Sequence, residues 1–99
     1  GHQRDRMQWL CDELNQVPGL KGGILADEAG RAIYRAQIVV DPEAFGMDAI
    51  ELTTRLKQGT PAVFTRDYYA NTGSFQVDPR PLRDGQETEI ASAIKALAK

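Results

Sequence analysis

Histidine and cysteine are almost missing from this chain, and that gap removes whole classes of chemistry. The one cysteine, Cys11, cannot close an internal disulfide or build a multi-cysteine metal site. The one histidine, His2, follows an N-terminal glycine in a pair typical of a cleaved affinity tag, so residues 1–3 are set aside as a tag remnant or extension. No imidazole is then left, which eliminates most catalytic triads and most zinc sites. No apolar run approaches the roughly 18–20 residues that cross a bilayer, and no signal-peptide pattern opens the chain. An excess of basic charge is also lacking. Twelve Lys+Arg against 14 Asp+Glu leave a net charge of −2 and a pI near 5.3, unlike the basic stripe of a nucleic-acid-binding protein. The expectation is a protein of a reducing, cytoplasmic setting with neither nucleic acid nor membrane as partner.

The full 99 residues are 41% apolar and 26% charged, the balance of one small globular domain with a modest core. Met7, Leu10, Cys11 and Leu14 recur at helical spacing across residues 4–17, and Pro18-Gly19 ends that helix. Two extended runs follow, Leu20–Ala26 and Arg31–Val40, joined by Asp27-Glu28-Ala29-Gly30 with glycine where a hairpin needs positive φ. In the second run Ala32, Tyr34, Ala36, Ile38 and Val40 alternate with Arg31, Ile33, Arg35, Gln37 and Val39, the pattern of a half-buried antiparallel strand. Gly22-Gly23 suggests a bulge or an edge position. Asp41-Pro42 breaks the strand, and Ala49, Leu52 and Leu56 mark a helix over 48–58 with Gly59 at its C′ position. Ala62–Tyr68 reads as a third strand, Asn71-Thr72-Gly73 as a turn and Ser74–Asp78 as a fourth strand. Asp84 with Glu87 resembles a capping box before a last helix whose stripe is Ile90, Ala93, Ile94 and Leu97. The order is αββαββα, an α+β domain of two layers with a mainly antiparallel sheet and helices on one face, filling residues 4–99.

No self-sufficient catalytic set emerges. Lys21, Lys57, Lys95 and Lys99 read as solvated charges, and Cys11 as a small hydrophobe with no base beside it. Gly22-Gly23 lacks the context of a dinucleotide fingerprint. Trp9 is either a contact residue or a partly exposed aromatic. The segment from Thr60 to Asn71 is richer. On a two-residue period Ala62, Phe64, Arg66 and Tyr68 share one face, with Tyr68 expected in the core beside Phe64. An arginine there presents a planar, permanently charged fork that fits a carboxylate or phosphate. The plainer alternative is a surface arginine paired with Asp67 or another carboxylate. Arg80 and Arg83, flanking Pro81, either bind an anion or keep a turn soluble.

Three segments carry a resemblance: YRAQIVV over Tyr34–Val40, LKQGTPAVFTRDY over Leu56–Tyr68, and VDPRPL over Val77–Leu82. Over roughly residues 5–98 the chain resembles the C-terminal small domain of the selenocysteine-synthase-like pyridoxal-phosphate enzymes, in particular their D-glucosaminate-6-phosphate ammonia-lyase branch. The resemblance implies an aminotransferase-like parent. Its large N-terminal domain, absent here, would hold the cofactor on a lysine, and its small domain would close over the active site. The hard chemistry of such an enzyme belongs to the pyridoxal ring as electron sink, while a mobile small domain recognises charge and excludes water. The parent would eliminate ammonia from a phosphorylated amino sugar acid and act as a homo-oligomer, with lyase and selenium-transfer chemistry both open. A small-domain arginine often grips the substrate carboxylate in this fold family. Arg66 matches that task best and Arg80 second, as residues for a small anionic substrate. No catalytic, cofactor-binding or metal-binding residue is expected in this chain, which would be inactive by itself. The rival reading is a standalone ligand-binding or oligomerisation module of ferredoxin-like outline.

Overall fold

Apolar periodicity sets the architecture. A computed structural model describes residues 2–27 and 29–99; Gly1 and Glu28, the latter within the four residues expected to join the first two extended runs, lie outside the described residues. Helix α1 (His2–Leu14) buries Met7, Leu10, Cys11 and Leu14 completely, as its stripe requires. His2 and Gln3, set aside from the sequence as an extension, form its first turn. Strands β1 (Leu20–Ala26), β2 (Tyr34–Val40) and β3 (Ser74–Val77) make an antiparallel sheet in the order β1-β2-β3. Leu20, Ala36, Ile38, Val40, Phe75 and Val77 point to one face and join α1 in a single core. Helices α3 (Ala49–Gln58) and α4 (Gln86–Leu97) complete that layer through Ala49, Leu52, Leu56, Ile90, Ala91 and Ile94. Burying each Leu, Ile or Phe of this cluster contributes roughly 1.5–3 kcal/mol. Among the described residues no helix is long and apolar enough to cross a membrane.

Polar contacts fix how the layers meet. Arg6, nearly buried, donates from Nε and Nη2 to Glu87 Oε1 at 2.9 and 2.8 Å and from Nη2 to the Arg83 carbonyl at 2.6 Å, joining α1 to α4. Glu87 is therefore engaged by another helix, and α4 starts after Gly85 with no side-chain cap, so the capping box at Asp84 is not formed. At Gly22 an added Cβ would lie 3.1 Å from Cys11 Cα and 3.2 Å from its Cβ. This glycine lets α1 sit close to the sheet, and Asn15 secures the approach by bonding both Gly22 N–H and C=O. The Gly22-Gly23 pair lies in an edge strand with unbroken register, so no bulge exists there.

Three sequence expectations give way. Segment 62–68 is not a strand. Only Arg66 pairs, exchanging N–H···O bonds of 2.8 and 2.9 Å with Gln76 as an isolated bridge, because the Val63 N–H is spent on the Leu56 carbonyl at the end of α3. Among the described residues the sheet therefore has three strands, and the order αββαββα is corrected to αββααβα. The extra helix is α2 (Pro42–Phe45), where Asp41 caps Glu43 N–H, Pro42 opens the turn and Gly46 closes it at φ +108°. Gly59 has φ −76° and is not a left-handed cap. The α+β class, the antiparallel pairing and the one-sided helical layer stand. So do positive φ at Gly30 in the first hairpin and at Gly73 in the second turn.

Candidate functional site

The face of the sheet away from the helices carries Lys21, Gly23, Leu25, Arg35, Gln37, Val39 and Gln76, by the same two-residue alternation that buries their neighbours. Arg35 is nonetheless buried, and charge explains it. Its Nε donates to Asp78 Oδ2 at 3.0 Å, just beyond β3, and its Nη1 to Asp27 Oδ1 at 3.3 Å, just beyond β1. Asp27 also accepts from Arg31 Nε and Nη2 at 3.0 and 2.9 Å. Asp78 also accepts from Arg80, by its backbone N–H at 2.9 Å and by Nη2 at 2.7 Å. The resulting chain Arg31–Asp27–Arg35–Asp78–Arg80 crosses the open face as one network of charge-assisted bonds.

Both aspartates are held well below the usual carboxylate range. For Asp27 the hydrogen bonds from Arg31 dominate; for Asp78 burial pulls upward but bonds from Arg80 and Arg35 outweigh it. Glu87 is lowered likewise by the Arg6 bond. A carboxylate whose folded-state pKa lies below its unfolded value of about 4 contributes stability above that value and loses it as pH falls. Thermal stability is accordingly expected to stay level from pH 8 to pH 5 and to fall below about pH 4. Asp78→Asn should lower Tm at pH 7 and flatten the acid decline; an unchanged acid decline in that variant would contradict the network's role.

Arg66 stands apart from this pairing. The bridge to Gln76 turns its side chain onto the open face, where its guanidinium carbon lies 5.2 Å from the centre of the Tyr68 ring. Among the described residues no carboxylate pairs with it, and its Nε is buried without a hydrogen-bond partner. Asp67, the obvious neighbour, is taken by Lys57 at 3.1 Å, which removes the plainer reading of Arg66. Arg66 lines two adjoining hollows. One, of about 250 Å³, is walled by Leu25, Asp27, Arg31, Arg35, Tyr68, Tyr69 and Gln76, and the other by Asp78, Arg80 and Pro81. Arg66 and Arg80 thus meet across one hollow, Arg80 with its fork committed to Asp78 and Arg66 with its fork free. What the geometry can do is accept an oxyanion at a single unpaired guanidinium backed by a positive network.

The sequence did not single out Asp27, Arg31, Arg35, Asp78 and Gln76 for this site. The signal available was an arginine at an outward position of a central strand, with an aspartate following the next strand. Tyr68 is corrected from core to surface: Phe64 and Tyr68 are 75% and 72% exposed, and Val63 turns inward instead. Cys11 is inert by its setting, its thiol pushed up to about 11 by burial and by Asp12. The lysines do not fit the anchoring of a pyridoxal phosphate. Lys57 and Lys95 are ion-paired, Lys99 donates to the Glu43 carbonyl, Lys21 is exposed on β1, and none lines a hollow with Arg66.

No protein-family model matches the chain. Its sequence is 38% identical over 89 residues to a 5'-C-glycyluridine monooxygenase-decarboxylase of a Streptomyces species, covering 89% of this chain and 22% of that protein. It is 30% identical over 94 residues to the D-glucosaminate-6-phosphate ammonia lyase of Salmonella typhimurium, covering 95% of this chain and 26% of that protein. A solved structure of D-glucosaminate-6-phosphate ammonia-lyase superposes with a TM-score of 0.87 at 29% identity, over 95% of this chain and 26% of that one. The chain is homologous to part of these enzymes, and spans about a quarter of the length of the curated relatives it matches (22% and 26%).

Proposed function

We propose that this chain is the C-terminal small domain of a pyridoxal-phosphate-dependent lyase of the D-glucosaminate-6-phosphate ammonia-lyase type, and that Arg66 grips the carboxylate of an amino acid substrate. The unpaired guanidinium carries the reading. Every other arginine of the open-face network has an aspartate, so an incoming anion finds its partner at Arg66. Arg80 supports the same hollow with its charge. Cofactor and reacting groups are supplied by the remainder of the parent chain, since this part offers no fitting lysine. The 99 residues alone are then inactive, and a cytoplasmic enzyme suits the single reduced Cys11.

The names of both relatives point to the same substrate feature. One names an amino sugar acid; the other names a glycyl group and its decarboxylation. A carboxyl group near an amine is common to them, whereas the reactions differ. The domain they share with this chain therefore fits recognition of that common part. The 38% identity to the monooxygenase-decarboxylase favours a second reading of the reaction, oxidative decarboxylation in place of ammonia loss. Incubating the full-length parent with a phosphorylated 2-amino sugar acid and with a glycyl-substituted nucleoside separates them. Ammonia release from the first supports the lyase; oxygen uptake with carbon dioxide release from the second supports the alternative. No turnover of either would overturn both.

A further inference from the structure

Residues opposite one another in an antiparallel pairing raise their side chains on the same face, with Cβ atoms about 4.5–5.5 Å apart. The register therefore sets a single row across the open face: Arg66 opposite Gln76, Gln76 opposite Gln37, and Gln37 opposite Gly23. Two uncharged amides thus stand in line with the free guanidinium of Arg66. Gln76 is only 9% exposed and lines the same hollow as Arg66. The next row is bonded throughout, with Arg35 between Asp27 and Asp78 and each aspartate shared with a second arginine. Among the described residues neither glutamine side chain makes a hydrogen bond, because the nearby carboxylates are already taken. A polar group so nearly buried is ordinarily paired. A β-branched residue would also serve a mere packing role in this strand better.

We propose that Gln76, with Gln37 beside it, selects for hydroxyl groups on the acid whose carboxylate Arg66 holds. The proposal deepens the reading of Arg66 as the carboxylate's partner and rests on it. A primary amide offers two N–H donors and a carbonyl acceptor. Arginine only donates, and Asp27 and Asp78 are spent on the network, so the row lacks a ligand group that both donates and accepts. A hydroxyl does both. Neighbouring strands lie about 4.8 Å apart. Groups on the first carbons after the carboxylate therefore meet Gln76, and later ones meet Gln37. Beyond them the row ends at Gly23, where an added Cβ would meet nothing within 4 Å, so the lane stays open for the far end of the chain. An acid without hydroxyls would lay methylene groups against both amides and leave them unpaired, which carries the full desolvation penalty.

Calorimetric titration of the full-length parent with gluconate and with hexanoate, acids of equal chain length that differ in their hydroxyls, tests this. Gluconate is expected to bind at least about tenfold more tightly than hexanoate. Gln76→Met, close in volume but without the amide, should weaken gluconate about tenfold and leave hexanoate within about twofold. Gln37→Met, farther from the carboxylate, should weaken gluconate about threefold. Retained hexanoate affinity shows in the same experiment that each variant is folded. Equal weakening of both acids by Gln76→Met would mark a structural role and overturn the proposal. Gluconate binding no tighter than hexanoate overturns it too. Arg66→Ala should weaken both acids. If it does so while Gln76→Met weakens neither, the hydroxyl selection falls and the carboxylate grip stands. If Gln76→Met weakens gluconate alone and Arg66→Ala weakens neither acid, the grip falls and the selection stands.

Discussion

Arg66→Ala in the full-length enzyme is expected to lower kcat/KM by about 10²–10³-fold, the range for removing one partner of a buried charge pair. The loss should fall mainly on KM, because a carboxylate that does not itself react is bound alike in ground state and transition state. Stability should change by less than about 1 kcal/mol, since no carboxylate or carbonyl of the described residues depends on this guanidinium. Arg66→Lys should recover only part of the affinity, a point charge replacing a fork. Free guanidinium added to the alanine variant should restore activity in proportion to its concentration. Arg80→Ala serves as the contrast. Its fork is bound to Asp78, so its removal should disturb the network and cost about tenfold or less in kcat/KM. Equal losses at the two positions would argue against a special role for Arg66.

The largest expected effect on folding belongs to Gly19→Ala. Gly19 adopts φ +90°, and an added Cβ would lie 2.4 Å from the Phe45 backbone nitrogen and 2.8 Å from its Cα. Neither atom can yield cheaply. Phe45 is fully buried on α2, and the Gly19 carbonyl accepts from Asp41 N–H at 2.7 Å, so this glycine joins the entry of β1 to the start of α2. Backbone strain and a clash together should cost about 3 kcal/mol or more, a fall in Tm of more than about 12 °C for a domain of this size. Gly23→Ala is the control. An added Cβ meets nothing within 4 Å there, so Tm should move by no more than a few degrees. A Gly19→Ala protein melting within about 3 °C of the parent would show that α2 shifts to make room.

The helical stripes and the β1–β2 pairing were legible because burial obeys period 3.6 on Met7–Leu14 and period 2 on Tyr34–Val40. The fate of Ala62–Tyr68 was not. Its alternation is real, with Val63 inward and Arg66 outward, but a strand needs a partner ladder. The Leu56 carbonyl claims one of its donors before that ladder can form. Alternation reports which way side chains point, and hydrogen-bond competition decides whether a strand exists. Helix α2 had its full local signature in Asp41, Pro42 and Gly46, which the reading of Asp41-Pro42 as a break passed over. At the site, Arg66 and Arg80 were visible as single residues of the right chemistry. That Arg80 is held and Arg66 is free depends on Asp78 and Asp67 meeting other cations, a matter of tertiary pairing. The Arg31–Asp27–Arg35–Asp78–Arg80 network joins residues from both ends of the sheet and leaves no local pattern.

The central claim is most directly tested by a structure of the full-length parent with a carboxylate-bearing substrate analogue. The account predicts the carboxylate oxygens about 2.7–3.0 Å from the terminal nitrogens of Arg66, in a cleft closed by the open face of this sheet. An analogue bound more than about 8 Å from Arg66, beyond any hydrogen bond, with that guanidinium turned to bulk water, would contradict it.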